Sequence, residues 1–210
     1  MKNVFAIDIG NTNIAFGIFR GGILIRKAKI PTSDYSKYNA HAKRLLKTYP
    51  IDKIIVSSVV PAALARLKKA LQGAADSKIL ILGANIRAPI RNLYKAKEEV
   101  GQDRLVNAFA GSTLYGAPCV IIDFGTAITF DVVSKKGAYL GGLILPGIAI
   151  SLSSLYEKTA LLPKVRLAPS RKLIGKDTVA SMRGCILFGF GAMCDGLVAK
   201  YRKILGKSLK

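Results

Sequence analysis

Two short stretches carry the residues whose types and spacing suit chemistry. The first runs from an apolar segment, Val4-Phe5-Ala6-Ile7, into Asp8-Ile9-Gly10-Asn11-Thr12-Asn13 and then into a second apolar run, Ile14-Ala15-Phe16. The second, Val120-Ile121-Ile122-Asp123-Phe124-Gly125-Thr126-Ala127-Ile128-Thr129, repeats the pattern, with 115 residues between the two aspartates (123 − 8). A carboxylate at a strand end beside glycine can hold Mg²⁺, which takes one or two carboxylates and completes its shell with phosphate oxygens and water. On that ground Asp8 is a candidate Mg²⁺ ligand. The backbone N–H groups of Gly10-Asn11-Thr12-Asn13 can cradle a phosphate, and glycine lets the backbone approach the ligand closely. Taken singly, each turn is an ordinary hairpin, since Asp, Asn and Gly are turn formers. The repetition favours two phosphate-binding turns, one on each of two related lobes facing across a cleft.

A third carboxylate differs in kind. In Val100-Gly101-Gln102-Asp103-Arg104, Asp103 stands at an expected helix start, where it could merely cap the helix. It could equally act as a general base toward a substrate hydroxyl, with the fork-shaped Arg104 binding an anionic group. Asp131 completes the set of aspartates to watch in a chain poor in acids. Other chemistries are disfavoured. His41 is the sole histidine and is expected to be a solvated side chain on a basic helix. There is no Gly-x-Ser-x-Gly, no His/Cys cluster for zinc, and no Walker A loop, because Ser170 stands where its first glycine should be.

These carboxylates need elements to position them. Residues 3 to 30 read as three successive strands, with Gly21-Gly22 in the second turn. Ser33 or Asp34 caps a helix running to about Thr48, and Pro50 ends it. Ile54-Ile55-Val56 and Ile79 to Leu82 are short, fully apolar strands of the kind buried in a mostly parallel sheet. Pro61 opens a helix between them. A further helix runs from Asp103 to Gly116. The second lobe then follows as the Asp123 hairpin, a third strand at Ala138 to Leu145, a helix after Pro146 and a last helix over Thr178 to Leu205.

Composition bounds the rest. A chain of 210 residues buries roughly 70% of its unfolded surface, enough for a sizeable core. With half its residues hydrophobic and 21% charged, it is not disordered. Lys and Arg number 33 against 12 Asp and Glu, a formal +21 that attracts polyanions and phosphorylated ligands. Cys119, Cys185 and Cys194 sit in apolar contexts without metal-ligand spacing and read as buried thiols of a reducing compartment. Met1-Lys2-Asn3 leads straight into a strand, which reads against a signal peptide. The apolar run Cys185 to Ala199, interrupted by Asp195, reads as too short to span a bilayer. The expectation is a cytoplasmic protein without a membrane partner.

At these residues the chain resembles the type III pantothenate kinases, a branch of the superfamily of acetate kinase, sugar kinases, Hsp70 and actin. The resemblance runs through Asp8-Ile9-Gly10-Asn11-Thr12-Asn13, Ser57-Ser58-Val59-Val60-Pro61, Gly101-Gln102-Asp103-Arg104 with Asn107, and Asp123-Phe124-Gly125-Thr126-Ala127-Ile128-Thr129. It continues in Gly137 to Gly142, Pro146-Gly147, Thr159 to Pro163 and Gly175-Lys176-Asp177-Thr178, all in the family's order. It implies an α/β fold of two tandem ribonuclease-H-like lobes (the actin-like ATPase arrangement) with mixed sheets, at residues 1–116 and 117–210. Family members carry a strand and glycine-rich turn past the last helix that help hold adenosine, so the second lobe reads as truncated at its C-terminus.

The implied activity is ATP-dependent phosphorylation of pantothenate to 4'-phosphopantothenate, the first step of coenzyme A biosynthesis. The implied cofactors are ATP, Mg²⁺ and K⁺ or NH₄⁺. Carried over residue by residue, Asp8, Ile9, Gly10, Asn11, Thr12, Asn13, Ile14 and Ala15 form the first phosphate loop, and Thr126 touches ATP. Asp103 is the proton acceptor. Tyr94, Gly101, Gln102, Asp103, Arg104 and Thr178 contact pantothenate, and Asp123 binds the monovalent cation. A homodimer is implied as well. The alternative is a catalytically impaired relative that uses its basic surface to bind nucleic acid or to regulate; it is not favoured, since no binding motif or aromatic interleaving accompanies the Lys and Arg residues.

Overall fold

The computed structural model describes residues 2–71, 78–170 and 172–210. The chain divides into two compact units, Met1–Pro89 with Glu98–Val106, and Ile90–Lys97 with Asn107–Lys210. A short connecting segment, residues 90–97, and most of one helix go with the second unit.

In the first unit, apolar side chains at every second position build a sheet with one face on a core. Strands β1 (Asn3–Ile9), β2 (Asn13–Arg20) and β3 (Ile23–Pro31) form an antiparallel meander. β4 (Lys53–Ser58) and β5 (Lys78–Ile81) add to β1 in parallel, giving the order β3-β2-β1-β4-β5. This mixed order is the ribonuclease-H-like arrangement expected from the sequence. Phe5, Ile7 and Ile9 of β1 alternate inward beside Ile54 and Val56 of β4. Each such side chain contributes roughly 1.5–3 kcal/mol on burial. The meander therefore holds its turns in place rather than being held by them.

Helix α1 (Tyr35–Thr48) starts where Asp34 accepts from Lys37 N–H at 3.2 Å, and it buries Tyr38, Ala42 and Leu45 at helical spacing. Proline at the first position of α2 (Pro61–Leu71) removes a donor the helix would leave unpaired anyway. His41 departs from expectation. Its ring packs 5.3 Å from Phe16, Arg44 Nη2 lies 3.0 Å from Nδ1, and Nε2 is buried without a hydrogen-bond partner. Burial, with Arg44 and Arg26 nearby, lowers its pKa below the ordinary 6.5.

Helix α3 (Gln102–Tyr115) begins in the first unit and ends in the second. The second unit repeats the meander as β6 (Cys119–Phe124), β7 (Ala127–Val133) and β8 (Tyr139–Pro146). α4 (Ile148–Glu157) follows, and its Leu152 packs with Val165, Met182 and Ile186. α5 (Thr178–Gly184) passes through a π-helical turn at Cys185–Gly189 into α6 (Phe190–Leu205).

Two expectations need correcting here. The apolar segment is not short: the helix is continuous for 28 residues, with a mean hydropathy of 1.4 over its most apolar window and 17% of that window buried. By length and composition alone it could cross a bilayer, and it runs past Gly184 and Gly189 through a π-helical turn without a break. Nor are all three thiols buried. Cys119 is buried and Cys194 half-buried, and burial raises the pKa of both, whereas Cys185 lies exposed on this uncovered helix.

Candidate active site

Each aspartate of the repeat sits one residue from the end of the first strand of its meander. After Asp8, Gly10 N–H donates to Asn13 O at 3.0 Å, and after Asp123, Gly125 N–H donates to Ala127 O at 3.0 Å. A Cβ on either glycine would press on that same carbonyl, at 3.2 Å and 3.4 Å. The residue following the third strand then braces each turn. Thr32 donates its N–H to Thr12 O at 3.0 Å and its hydroxyl to Gly10 O at 2.7 Å. Gly147 donates its N–H to Thr126 O at 3.0 Å.

Thr32 and Gly147 are again 115 residues apart (147 − 32), so the structural repeat extends from the aspartates to their braces. Glycine at 147 is obligatory, since a Cβ there would collide with the Gly125 and Thr126 carbonyl oxygens. Its reward is that α4 starts directly at the turn, presenting unpaired N–H groups and a positive dipole end. Asp8, Asn11, Thr12 and Ala15 are exposed, Ile9 and Ile14 are buried, and Gly10 and Asn13 are half-buried. The first loop therefore offers its polar groups to solvent while its apolar neighbours anchor it.

The carboxyl ends of β1, β4 and β5 gather further residues in the first unit. Val59 N–H donates to Ile9 O at 3.0 Å, carrying the segment after β4 past the Asp8 loop. Ser57 pairs with Asp8 across the parallel strands, and its Oγ is buried without a hydrogen-bond partner. Gly101 lies against Val59, and Gly83, at φ +84 after β5, lies against the Gln102 side chain. Asp103 falls in the first turn of α3, where the dipole favours a carboxylate. Its Oδ1 is buried without a hydrogen-bond partner and occupies the space a Cβ at Gly101 would fill. It is no simple cap, because that oxygen bonds no helix N–H. Arg104 is buried.

In the second unit, Asp123 is exposed and one oxygen is held: Asn107 Nδ2 donates to Oδ2 at 3.1 Å. One turn further along α3, glycine at 111 lets the helix descend onto Ile121 of the same strand. Thr126 is exposed in the turn itself. An apolar cavity of about 480 Å³ opens beside the turn, between Phe124 and Gly125 and the α4 residues Ile148, Leu152 and Tyr156. Tyr94 belongs to the connecting segment 90–97, which pairs with the β8 edge and bonds Leu93 N–H to Tyr139 O at 2.9 Å. Thr178 opens α5 exposed, with the local cap formed by Asp177 accepting from Ala180 N–H at 2.7 Å. No hydrogen bond joins Thr178 to Tyr94 or to Asp123. Among the described residues no three His, Cys, Asp or Glu side chains cluster as metal ligands.

Two strand meanders, each with an Asp-x-Gly turn between its first two strands braced from behind its third, define an α/β protein of the actin-like ATPase fold. Solved structures of similar fold include a Baf family transcriptional activator from Campylobacter jejuni, with a TM-score of 0.55 and 23% identity over 98% of this chain and 80% of that one. The ethanolamine utilization protein EutJ from Carboxydothermus hydrogenoformans gives a TM-score of 0.51 at 14% identity, over 100% of this chain and 74% of its own. The chain belongs to the type III pantothenate kinase family, whose model matches residues 4–200. Type III pantothenate kinases from Persephonella marina and Bacillus cytotoxicus are 39% and 36% identical to it. The matches cover 99% and 95% of this chain and 84% and 79% of those proteins.

Proposed function

We infer that this chain does what its family's name describes: it transfers the γ-phosphoryl group of ATP to the primary hydroxyl of pantothenate, the first step toward coenzyme A. The observation that carries the reading is the duplicated, braced Asp-x-Gly turn together with the buried, unsatisfied Oδ1 of Asp103. A neutral hydroxyl would satisfy that oxygen, and a carboxylate within reach of the hydroxyl takes its proton as the oxygen–phosphorus bond forms and the bond to ADP breaks. Arg104 binds an anionic group of the acceptor, with Gly101, Gln102, Tyr94 and Thr178 as its other contacts. The segment from Asp8 to Ala15 and Thr126 hold the polyphosphate. Asp123, oriented by Asn107, holds a monovalent cation, K⁺ or NH₄⁺, and Asp8 serves Mg²⁺; these ions neutralise phosphate charge.

We further propose that residues 1–116 and 117–210 form the paired lobes of the fold and that the enzyme works in the cytoplasm, where ATP is made. A homodimer would cover the exposed apolar side chains of the helix from Thr178 to Leu205, such as Leu187 and Ile204. The test is ATP- and pantothenate-dependent ADP release, measured in K⁺ and in Na⁺ buffers. Turnover that requires pantothenate and is faster in K⁺ supports the reading; ADP release indifferent to pantothenate would overturn it.

A further inference from the structure

Asp131 is the one aspartate of the early set to which the kinase reading gives no task. It is completely buried at the middle of β7. Burying a carboxylate is costly unless donors satisfy it. Both oxygens have donors: Tyr139 OH donates to Oδ1 at 2.9 Å and Thr129 Oγ1 donates to Oδ2 at 3.0 Å. Each donor leads to a different part of the candidate site.

Thr129 stands directly opposite Asp123 in the β6–β7 ladder, on the same face of the sheet. Tyr139, also completely buried, is where the segment carrying Tyr94 attaches. Its N–H donates to Arg91 O at 2.9 Å and its carbonyl accepts from Leu93 N–H at 2.9 Å. The Tyr94 ring then sits 6.5 Å from the Tyr139 ring and rests on Gly141, where a Cβ would come within 3.0 Å of it. Asn92 Oδ1 fixes the Tyr94 backbone by accepting its N–H at 2.9 Å.

We propose that Asp131 and Tyr139 are positioning residues that set the place of Tyr94, the acceptor-side wall, and so determine the affinity for pantothenate rather than the rate of phosphoryl transfer. The Oδ1 arm fixes the Tyr139 phenol and, through it, the floor on which Tyr94 lies. The Oδ2 arm holds Thr129 beside Asp123 and serves the nucleotide side. One buried carboxylate thus ties the two substrate sides of the second unit to a common point. The proposal rests on the kinase reading, in which Tyr94 touches pantothenate.

Tyr139→Phe separates the arms, since it removes one donor and keeps the ring and the Thr129 bond. It should raise the pantothenate KM about tenfold while kcat and the ATP KM stay within about twofold. Together with Tyr94→Ala its effect should be far from additive, because the phenol acts through that ring. Should loss of the Tyr139 donor destabilise the variant, Asp131→Asn with Tyr139→Phe lowers the demand for donors at that buried position and should show the same KM effect. A folded Tyr139→Phe enzyme with the wild-type pantothenate KM, or with both KM values raised in parallel, would overturn the proposal alone. Wild-type protein without pantothenate turnover would overturn the kinase reading and this proposal with it.

Discussion

Asn107 Nδ2 lies 3.1 Å from Asp123 Oδ2, so a side chain of α3 holds one oxygen of the carboxylate at the second turn. The bond leaves Asp123 exposed but oriented, as the proposed role of cation ligand requires. Groups that orient ligands typically contribute ten- to hundredfold to ion affinity. Asn107→Ala is therefore expected to raise the K⁺ concentration for half-maximal activity roughly tenfold. The pantothenate KM should stay unchanged in saturating K⁺. A K⁺ titration of both proteins checks this.

Gly147 is a second point of control. A methyl group there meets two backbone carbonyl oxygens, which unlike a side chain cannot swing aside. Gly147→Ala should cost roughly 1–3 kcal/mol and lower the melting temperature by about 3–10 °C. It should also displace the Thr126 turn and raise the ATP KM. Calorimetry and initial rates on the same sample would report both effects.

The first unit allows a comparable test of Asp103 as the proposed base. A Cβ at Gly101 would strike Asp103 Oδ1. Gly101→Ala should therefore turn the carboxylate away and lower kcat by about tenfold or more without loss of fold. Gly137→Ala is the control, a glycine of positive φ with open space around it. It should strain its own turn and leave kcat near wild type.

His41 predicts a pH dependence of stability. Its folded pKa is depressed by burial and by the neighbouring arginines, so the unfolded chain takes up a proton at a higher pH than the folded one. Stability is fully present above the ordinary imidazole value of 6.5 and is lost as pH falls below it toward the folded value. Melting temperatures through that range should decline for wild type and flatten in His41→Phe. A flat wild-type profile would remove His41 from the account.

Much of this architecture was legible in the residues. Asp34 as a cap, Pro61 as a helix opener and the apolar run before Asp8 are local signals, and each element formed where its signal lay. The repeated Asp-x-Gly turn was legible for the same reason. Its braces were not: Thr32 and Gly147 act through backbone bonds to residues far along the chain, and only the repeated 115-residue spacing behind Pro31 and Pro146 hinted at them. Asn107 stood in a motif without a visible partner, because its bond to Asp123 depends on how α3 packs on β6. Asp131 was noticed as a carboxylate, but its pairing with Tyr139 requires a β8 register no local pattern reveals. The 178–205 helix lies where its pattern places it, but the apolar run reads as ending at Ala199 and interrupted by Asp195, whereas the apolar window belongs to the whole 28-residue helix.

The central claim is that Asp103 takes the proton of the pantothenate hydroxyl during phosphoryl transfer. Its most direct test is the single-turnover rate of phosphopantothenate formation by wild type and Asp103→Asn, at saturating ATP, pantothenate and K⁺. The account predicts that Asp103→Asn folds, binds ATP as wild type does and forms product roughly 10²–10⁴-fold more slowly. Equal single-turnover rates for the two proteins would contradict it.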